Sequence, residues 1–224
     1  MRFSEWEPVY SEILDDLGLE RSSDEASARS LKILTMNSDM ISEDELAAVI
    51  GKAPVVAGGS ISAADLGTLG ELRSIGKAII SAGSATDVLV AGGIIPDIVV
   101  TDLDGNIELQ KKASASGSVT LVHAHGDNSR LMAEHVKDLR GKIMITTQSV
   151  PDLTLCNFGG FTDGDRAVCT ARHFGAKEIT LIGFDMERPV PKQGTDAEMK
   201  KKKLAWAKRI IFDMNPDDVI LRMI

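Results

Sequence analysis

From Ala53 onward the chain alternates short β-branched runs with helical stretches, and this alternation leaves few folds open. The runs are Val55-Val56-Ala57, Ala78-Ile79-Ile80, Ile98-Val99-Val100, Val119-Thr120-Leu121-Val122, Ile143-Met144-Ile145 and Ile179-Thr180-Leu181-Ile182. Most lie roughly twenty to twenty-five residues apart, the repeat of a βαβ unit. They are short and β-branched, Thr120 and Thr180 included, as strands of a parallel sheet buried on both faces are. Helical spacing recurs between them near 63–74, 84–92, 106–116, 128–139 and 163–175, and a long charged helix runs from about Asp196 to Asp213. The pattern predicts a three-layer Rossmann-like α/β fold, a mainly parallel sheet with helices on both faces.

Residues 1–50 read differently. Trp6, Val9, Tyr10, Ile13, Leu14 and Leu17 recur at helical spacing, and a second such pattern runs from Asp24 through Ala28, Leu31, Ile33 and Leu34. Ser42 followed by Glu43-Asp44-Glu45 is an N-cap with an acidic first turn, opening a third helix to Ile50. The expected organisation is a helical N-terminal lead over 1–50 and an α/β catalytic domain with a C-terminal helix over 51–224.

Charge and cysteine usage narrow the function. Lys and Arg number 25 against 33 Asp and Glu, a net charge of −8, which argues against a nucleic-acid partner because phosphate neutralisation needs clustered cations. Six Phe, two Trp and one Tyr are too few for a base-stacking platform. Cys156 and Cys169 lack C-x-x-C spacing, so reduced thiols and a cytoplasmic setting are expected. The start carries no signal-peptide core, and no apolar run nears the ~18 residues of a membrane span. The oligomeric state is left open, a homo-oligomer included.

In open α/β sheets ligands bind at the carboxyl ends of the strands. Here those ends carry Gly58-Gly59-Ser60, Ser81-Ala82-Gly83, Asp102-Leu103-Asp104-Gly105, His123-Ala124-His125-Gly126-Asp127-Asn128, Thr146-Thr147-Gln148 and Gly183-Phe184-Asp185. Gly58, Gly59 and Ser60 let backbone N–H groups approach a phosphate at a helix N-terminus, although a tight strand-to-helix turn uses the same residues. Asp102 and Asp104, two apart in an extended segment, project to one side while Leu103 turns into the core; two hard oxygens there suit Mg²⁺, or could cap the next helix. His123 and His125 repeat the device, with hydrogen bonding to a phosphate or to the Asp pair favoured over a metal site, and Asp127 or Asn128 starting a helix.

The segment Asn157-Phe158-Gly159-Gly160-Phe161-Thr162-Asp163-Gly164-Asp165-Arg166 is the densest. Phe158 and Phe161 could make an apolar slot for a flat ring. Asp163 and Asp165 could reach a metal or a substrate's amino groups, and Arg166 offers a planar donor fork for phosphate. Lys200–Lys203 form either a solvated helix face or an arm over a triphosphate.

Taken together, V-T-D-L-D-G, H-A-H-G-D-N, T-T-Q, N-F-G-G-F-T-D-G-D-R, L-I-G-F-D and the K-K-K-L helix resemble the archaeal 6-hydroxymethyl-7,8-dihydropterin pyrophosphokinase family over nearly the whole chain. The set is similar, more distantly, to the catalytic domain of thiamine pyrophosphokinase. The loop Ala57-Gly58-Gly59-Ser60-Ile61-Ser62 departs from the family's G-x-G-P-S-L-like pattern by lacking the proline and displacing the serine. The resemblance implies transfer of diphosphate from ATP to 6-hydroxymethyl-7,8-dihydropterin with release of AMP, in pterin cofactor biosynthesis; thiamine or another hydroxymethyl heterocycle is the alternative acceptor. With the loops above, it implies Mg²⁺ on Asp102 and Asp104, and catalysis by these with His125, Asp127 and Arg166. It directs Gly58, Gly59, Ser60, Asn128, Lys200 and Lys203 to ATP, and Asn157, Phe158, Phe161, Asp163 and Asp165 to the pterin.

Overall fold

The computed structural model describes residues 1–126, 128–188 and 196–224. Each β-branched run becomes a strand: β1 (Val55–Ala57), β2 (Ile79–Ala82), β3 (Ile98–Thr101), β4 (Val119–Ala124), β5 (Ile143–Thr147) and β6 (Glu178–Ile182). A further strand, β7 (Ile220–Met223), follows the C-terminal helix. Among the described residues the sheet has seven strands in the order β5-β4-β3-β2-β1-β6-β7, and every pair is parallel. The order reverses between β1 and β6, the topological switch point of an open sheet.

Parallel strands need crossovers, and the helices supply them. α4 (Leu66–Ser74), α5 (Ala85–Ala91), α6 (Ile107–Ala115) and α7 (Ser129–His135) link the strands from β1 to β5. α8 (Asp163–His173) precedes β6, and α9 (Ala197–Lys208) with a π-helical turn Arg209–Asp213 precedes β7. Strand periodicity sorts the core into two faces. Val56, Ile80, Val100, Leu121 and Leu181 pack with Ala167, Val168 and Ala171 of α8, whereas Val55, Ala57 and Ile79 pack with Leu69 of α4 and Leu89 of α5.

The N-terminal lead is α1 (Phe3–Leu17), α2 (Arg21–Leu34) and α3 (Glu43–Ile50), and each helix shares a core with the α/β unit. Trp6, Tyr10 and Ile13 of α1 pack with Phe161, Cys169 of α8 and Ile210. Ala28 and Leu31 of α2 join Val122, Met132 and Ile145. Leu46 and Ile50 of α3 lie with Val56 and Ile179. Among the described residues no helix is long and apolar enough to cross a membrane.

Candidate active site

The polar strand ends meet a cavity of about 460 Å³. Asp102, Asp104, His125, Gln148, Asp163 and Arg166 line it from the sheet edge; Leu19, Glu20, Ser23 and Asp24 line it from the lead; Gly126, Phe161, Thr162 and Lys203 complete it.

Asp102 and Asp104 do share a side, by a different backbone from the extended one expected. β3 ends at Thr101, and Leu103 adopts φ 67°, a left-handed conformation. Its side chain is buried among Val122, Met132 and Ile145, as expected. The Thr101 hydroxyl accepts the Leu103 N–H at 2.8 Å, Asp102 Oδ1 accepts the Asp104 N–H at 3.1 Å, and Gln110 Nε2 donates to the Asp104 carbonyl at 2.7 Å. These bonds over-determine a conformation that sterics disfavour.

His125 Nε2 lies 3.0 Å from Asp102 Oδ2, one of the two partners, phosphate or the Asp pair, expected from sequence. Burial pushes the Asp102 carboxyl up, but the His125 hydrogen bond and charge, with Arg166 nearby and the Asp104 N–H, hold it well below the usual carboxylate range. Asp163 shifts the other way. Burial and the negative charge of Asp102 push it well up, against the opposing Arg166. Arg166 Nη1 donates to Asp163 Oδ1 at 3.0 Å, and its Nη2 to the Phe161 carbonyl and to Gln148 Oε1, at 2.5 and 3.1 Å. Arg166 Nε is buried without a partner among the described residues. Two glycines make these approaches geometrically open. A Cβ on Gly83 (φ 51°) would stand 2.6 Å from Asp163 Oδ2, and one on Gly160 (φ 94°) 2.6 Å from the Arg166 backbone.

The family model for 6-hydroxymethylpterin diphosphokinase MptE-like proteins matches residues 31–189. A protein of Pyrococcus furiosus named 6-hydroxymethyl-7,8-dihydropterin pyrophosphokinase is 37% identical over 220 residues, covering 94% of this chain and 93% of its own. Proteins of the same name from Methanocaldococcus jannaschii and Methanothermobacter thermautotrophicus are 37% and 36% identical, each over 94% of this chain and covering 95% and 94% of their own. The chain belongs to the MptE-like family. Among solved structures, the MAf glycosyltransferase of Magnetospirillum magneticum AMB-1 is similar in fold alone, with TM-score 0.55 at 15% identity over 91% of this chain and 38% of that one.

In this MptE-like chain several residues expected at the ligand sit elsewhere. Asp165 is fully buried and accepts the Phe161, Thr162 and Arg166 N–H groups and the Thr162 hydroxyl. It organises the start of α8 and lines a smaller neighbouring cavity rather than this one, because a helix N-terminus competes for the carboxylate closest to its free N–H groups. Asn157 is turned inward, donating to the Ser149 carbonyl and accepting the Gly159 N–H. Phe158 packs against His173 and Phe174 in the core, so the expected two-phenylalanine slot does not form and Phe161 alone faces the cavity. Asn128 is also buried, tying strand ends together through the Asp102 and His123 carbonyls and the His125 N–H.

The remaining expectations divide. Gly59 and Ser60 line a second, smaller cavity of about 140 Å³ that shares Thr162 with the first. Gly58 makes room for the neighbouring loop: a Cβ there would stand 2.7 Å from the Gly183 carbonyl. Of the lysine run, Lys203 lines the main cavity, its Nζ 5.6 Å from the Phe161 ring centre; Lys200 does not line it. Asp127 lies outside the described residues. His123 belongs to β4, buried, with Nδ1 on Thr146 Oγ1 at 3.0 Å. Burial, then the positive charges of Arg166 and His125, push its pKa well down.

Sequence reasoning missed the lead's contribution. Asp24 accepts from three separate places: the Gly126 N–H at 2.6 Å, the Tyr10 hydroxyl at 2.5 Å and Gln148 Nε2 at 2.7 Å. Its signal in sequence, an acidic residue in a first helical turn, is that of any helix start.

Proposed function

We propose that the chain transfers diphosphate from ATP to 6-hydroxymethyl-7,8-dihydropterin and releases AMP. The observation that carries this is one cavity setting Asp102, Asp104 and Asp163 against Arg166 and Lys203, in a chain matching relatives of that name over 94% of its length. The acceptor's hydroxyl oxygen attacks the β-phosphorus, the bond from that phosphorus to the α–β bridging oxygen breaks, and AMP leaves with the electron pair. His125 in its neutral form, oriented by Asp102, takes the hydroxyl proton. Arg166 and Lys203 offset charge on the phosphates, and such transfers need positioning and charge neutralisation more than covalent catalysis.

Mg²⁺ fits the donor set. Asp102 is held ionised, and Asp104 is a second hard oxygen donor on the same cavity. Among the described residues no group of three or more His, Cys, Asp or Glu would hold a metal ion alone, and Mg²⁺ commonly binds through one or two carboxylates plus phosphate oxygens. Asp102 and Asp104 would hold it, and the ion would supply positive charge to the phosphates.

The test is turnover with Mg-ATP and a panel of heterocyclic alcohols. AMP, not ADP, should accompany product, and kcat/KM for the pterin should exceed that for thiamine by at least ~100-fold, since unpaired buried polar groups reject the wrong ring strongly. ADP as the sole nucleotide product overturns the chemistry, and equal use of thiamine overturns the specificity.

A further inference from the structure

Arg166 meets the cavity through a guanidinium whose orientation depends on a chain of hydrogen bonds beginning in the N-terminal lead. Asp24, 4% exposed, receives Gln148 Nε2 at 2.7 Å, and Gln148 Oε1 receives Arg166 Nη2 at 3.1 Å. Gln148 is itself 3% exposed, and its backbone carbonyl accepts the Trp6 indole N–H at 2.8 Å. Water has little access to either end of that amide.

A glutamine amide has a donor end and an acceptor end of nearly equal shape, so packing does not choose between its two orientations. Hydrogen-bond polarity does. Both Asp24 carboxylate oxygens accept, one from the Gly126 N–H and the other from Tyr10 and Gln148, so Asp24 draws the NH₂ end of Gln148 and turns its oxygen toward Arg166. We infer that Asp24 is a positioning residue for Arg166, acting through the Gln148 amide. The inference rests on the diphosphokinase reading for its effect on turnover, since Arg166 is there the group that meets the phosphates.

The chemistry of substitution follows from counting donors. Three donors converge on Asp24: the Gly126 N–H, the Tyr10 hydroxyl and the Gln148 amide. In Asp24→Asn one carboxylate oxygen becomes an NH₂ of the same shape. The Gly126 N–H belongs to the backbone and cannot reverse, so the asparagine oxygen stays with it. The new NH₂ then faces Tyr10 and Gln148. A hydroxyl can rotate to accept, but Gln148 must flip, which turns its NH₂ against the guanidinium. Arg166 loses an acceptor and meets a donor.

A double variant restores the polarity. In Asp24→Asn with Gln148→Glu, the new NH₂ at position 24 donates to the new carboxylate at 148, whose other oxygen accepts from Arg166. Charge is only moved from one position to the other. Tyr10→Phe serves as a third variant. It removes one donor to Asp24 and leaves the Gln148 amide with the same partners.

The experiment measures kcat and KM for Mg-ATP and pterin, with thermal melts, for all three variants. Asp24→Asn should lower kcat about ten- to a hundredfold with KM for ATP changed less than about threefold. The double variant should regain kcat to within about threefold of wild type. Tyr10→Phe should melt earlier while keeping most of its kcat. Unchanged kcat in Asp24→Asn overturns the inference, and so does a folded double variant as slow as the single one. The wild-type chain in the same assay tests the activity itself. With no AMP from wild type the diphosphokinase reading falls, and positioning is then read from the ¹⁵N shifts of the Arg166 guanidinium. Those should move in Asp24→Asn and return in the double variant; shifts that do not move overturn the positioning claim.

Discussion

Leu103 is the one non-glycine residue with positive φ among the described residues. A left-handed leucine costs on the order of 1–2 kcal/mol, and here it lets Asp102 and Asp104 line one cavity while the side chain between them fills the core. The spacing of the two aspartates was enough to place them together, because Leu103 between them is apolar. It could not show the backbone, since only the surrounding bonds hold that conformation. Asp163 and Asp165 show the opposite limit: one spacing, two fates, decided by which carboxylate meets the free N–H groups of α8. Their separation gives a contrast in substitution. If they hold Mg²⁺ as proposed, Asp102→Asn and Asp104→Asn should each lower kcat by two or more orders of magnitude with a cooperative melt preserved, as loss of a metal ligand removes several kcal/mol of transition-state stabilisation at ~1.4 kcal/mol per tenfold. Asp165→Asn should instead cost ~1–3 kcal/mol of stability in a urea titration, from unmade capping bonds, and leave the Mg²⁺ dependence of turnover where it was.

At the scale of elements, α3 shows a cap that also fastens the sheet. Ser42 and Glu45 cap each other's backbone N–H groups, and Glu45 meets Lys142 beside β5. Lys142, then the Ser42 N–H and hydroxyl, bring the Glu45 pKa from 4.5 down to about 2. A carboxylate depressed on folding stabilises the native state above its unfolded pKa and loses that contribution as pH falls through the folded one. Glu45→Gln should therefore melt below wild type at pH 6, and the gap between their melting temperatures should close from pH 4.5 to about 2. A constant gap would mean the charge contributes nothing. The cap was legible from Ser42-Glu43-Asp44-Glu45, as were β1 to β6 from their β-branched runs. β7 was not. Ile220-Leu221-Arg222-Met223 is short and mostly exposed, and only the partner β6, brought alongside by α9, makes it a strand.

For the whole molecule, the lead is joined to everything the site needs. α1 packs on α8 and the turn after α9, α2 on β4, β5 and α7, and α3 on the core beneath β1. Removing residues 1–50 would uncover Phe161, Cys169, Val122, Ile145 and Ile210, more apolar surface than a soluble domain tolerates. The remaining 51–224 should fail to unfold cooperatively when heated, as read by circular dichroism. A sharp transition near that of the full chain would show the α/β unit to be self-sufficient. Sequence could mark where the lead's composition changes, but Asp24 and Gln148 are 124 residues apart, and no local pattern reports such a contact.

That distance has a consequence for the order of events at the ribosome. α1 leaves the exit tunnel before the groups it packs on: Gln148 follows Trp6 by 142 residues, and Phe161, Cys169 and Ile210 come later still. Chains fold as segments become available, so α1 waits undocked while α2 and α3 meet the strands as they form. Nascent chains stalled before α8 have neither Arg166 nor the surface that seats Trp6. Docking of α1 on α8 thus comes after the strands that carry Asp102 and His125 have been made, and a chain stalled before α8 lacks the Arg166 side of the cavity.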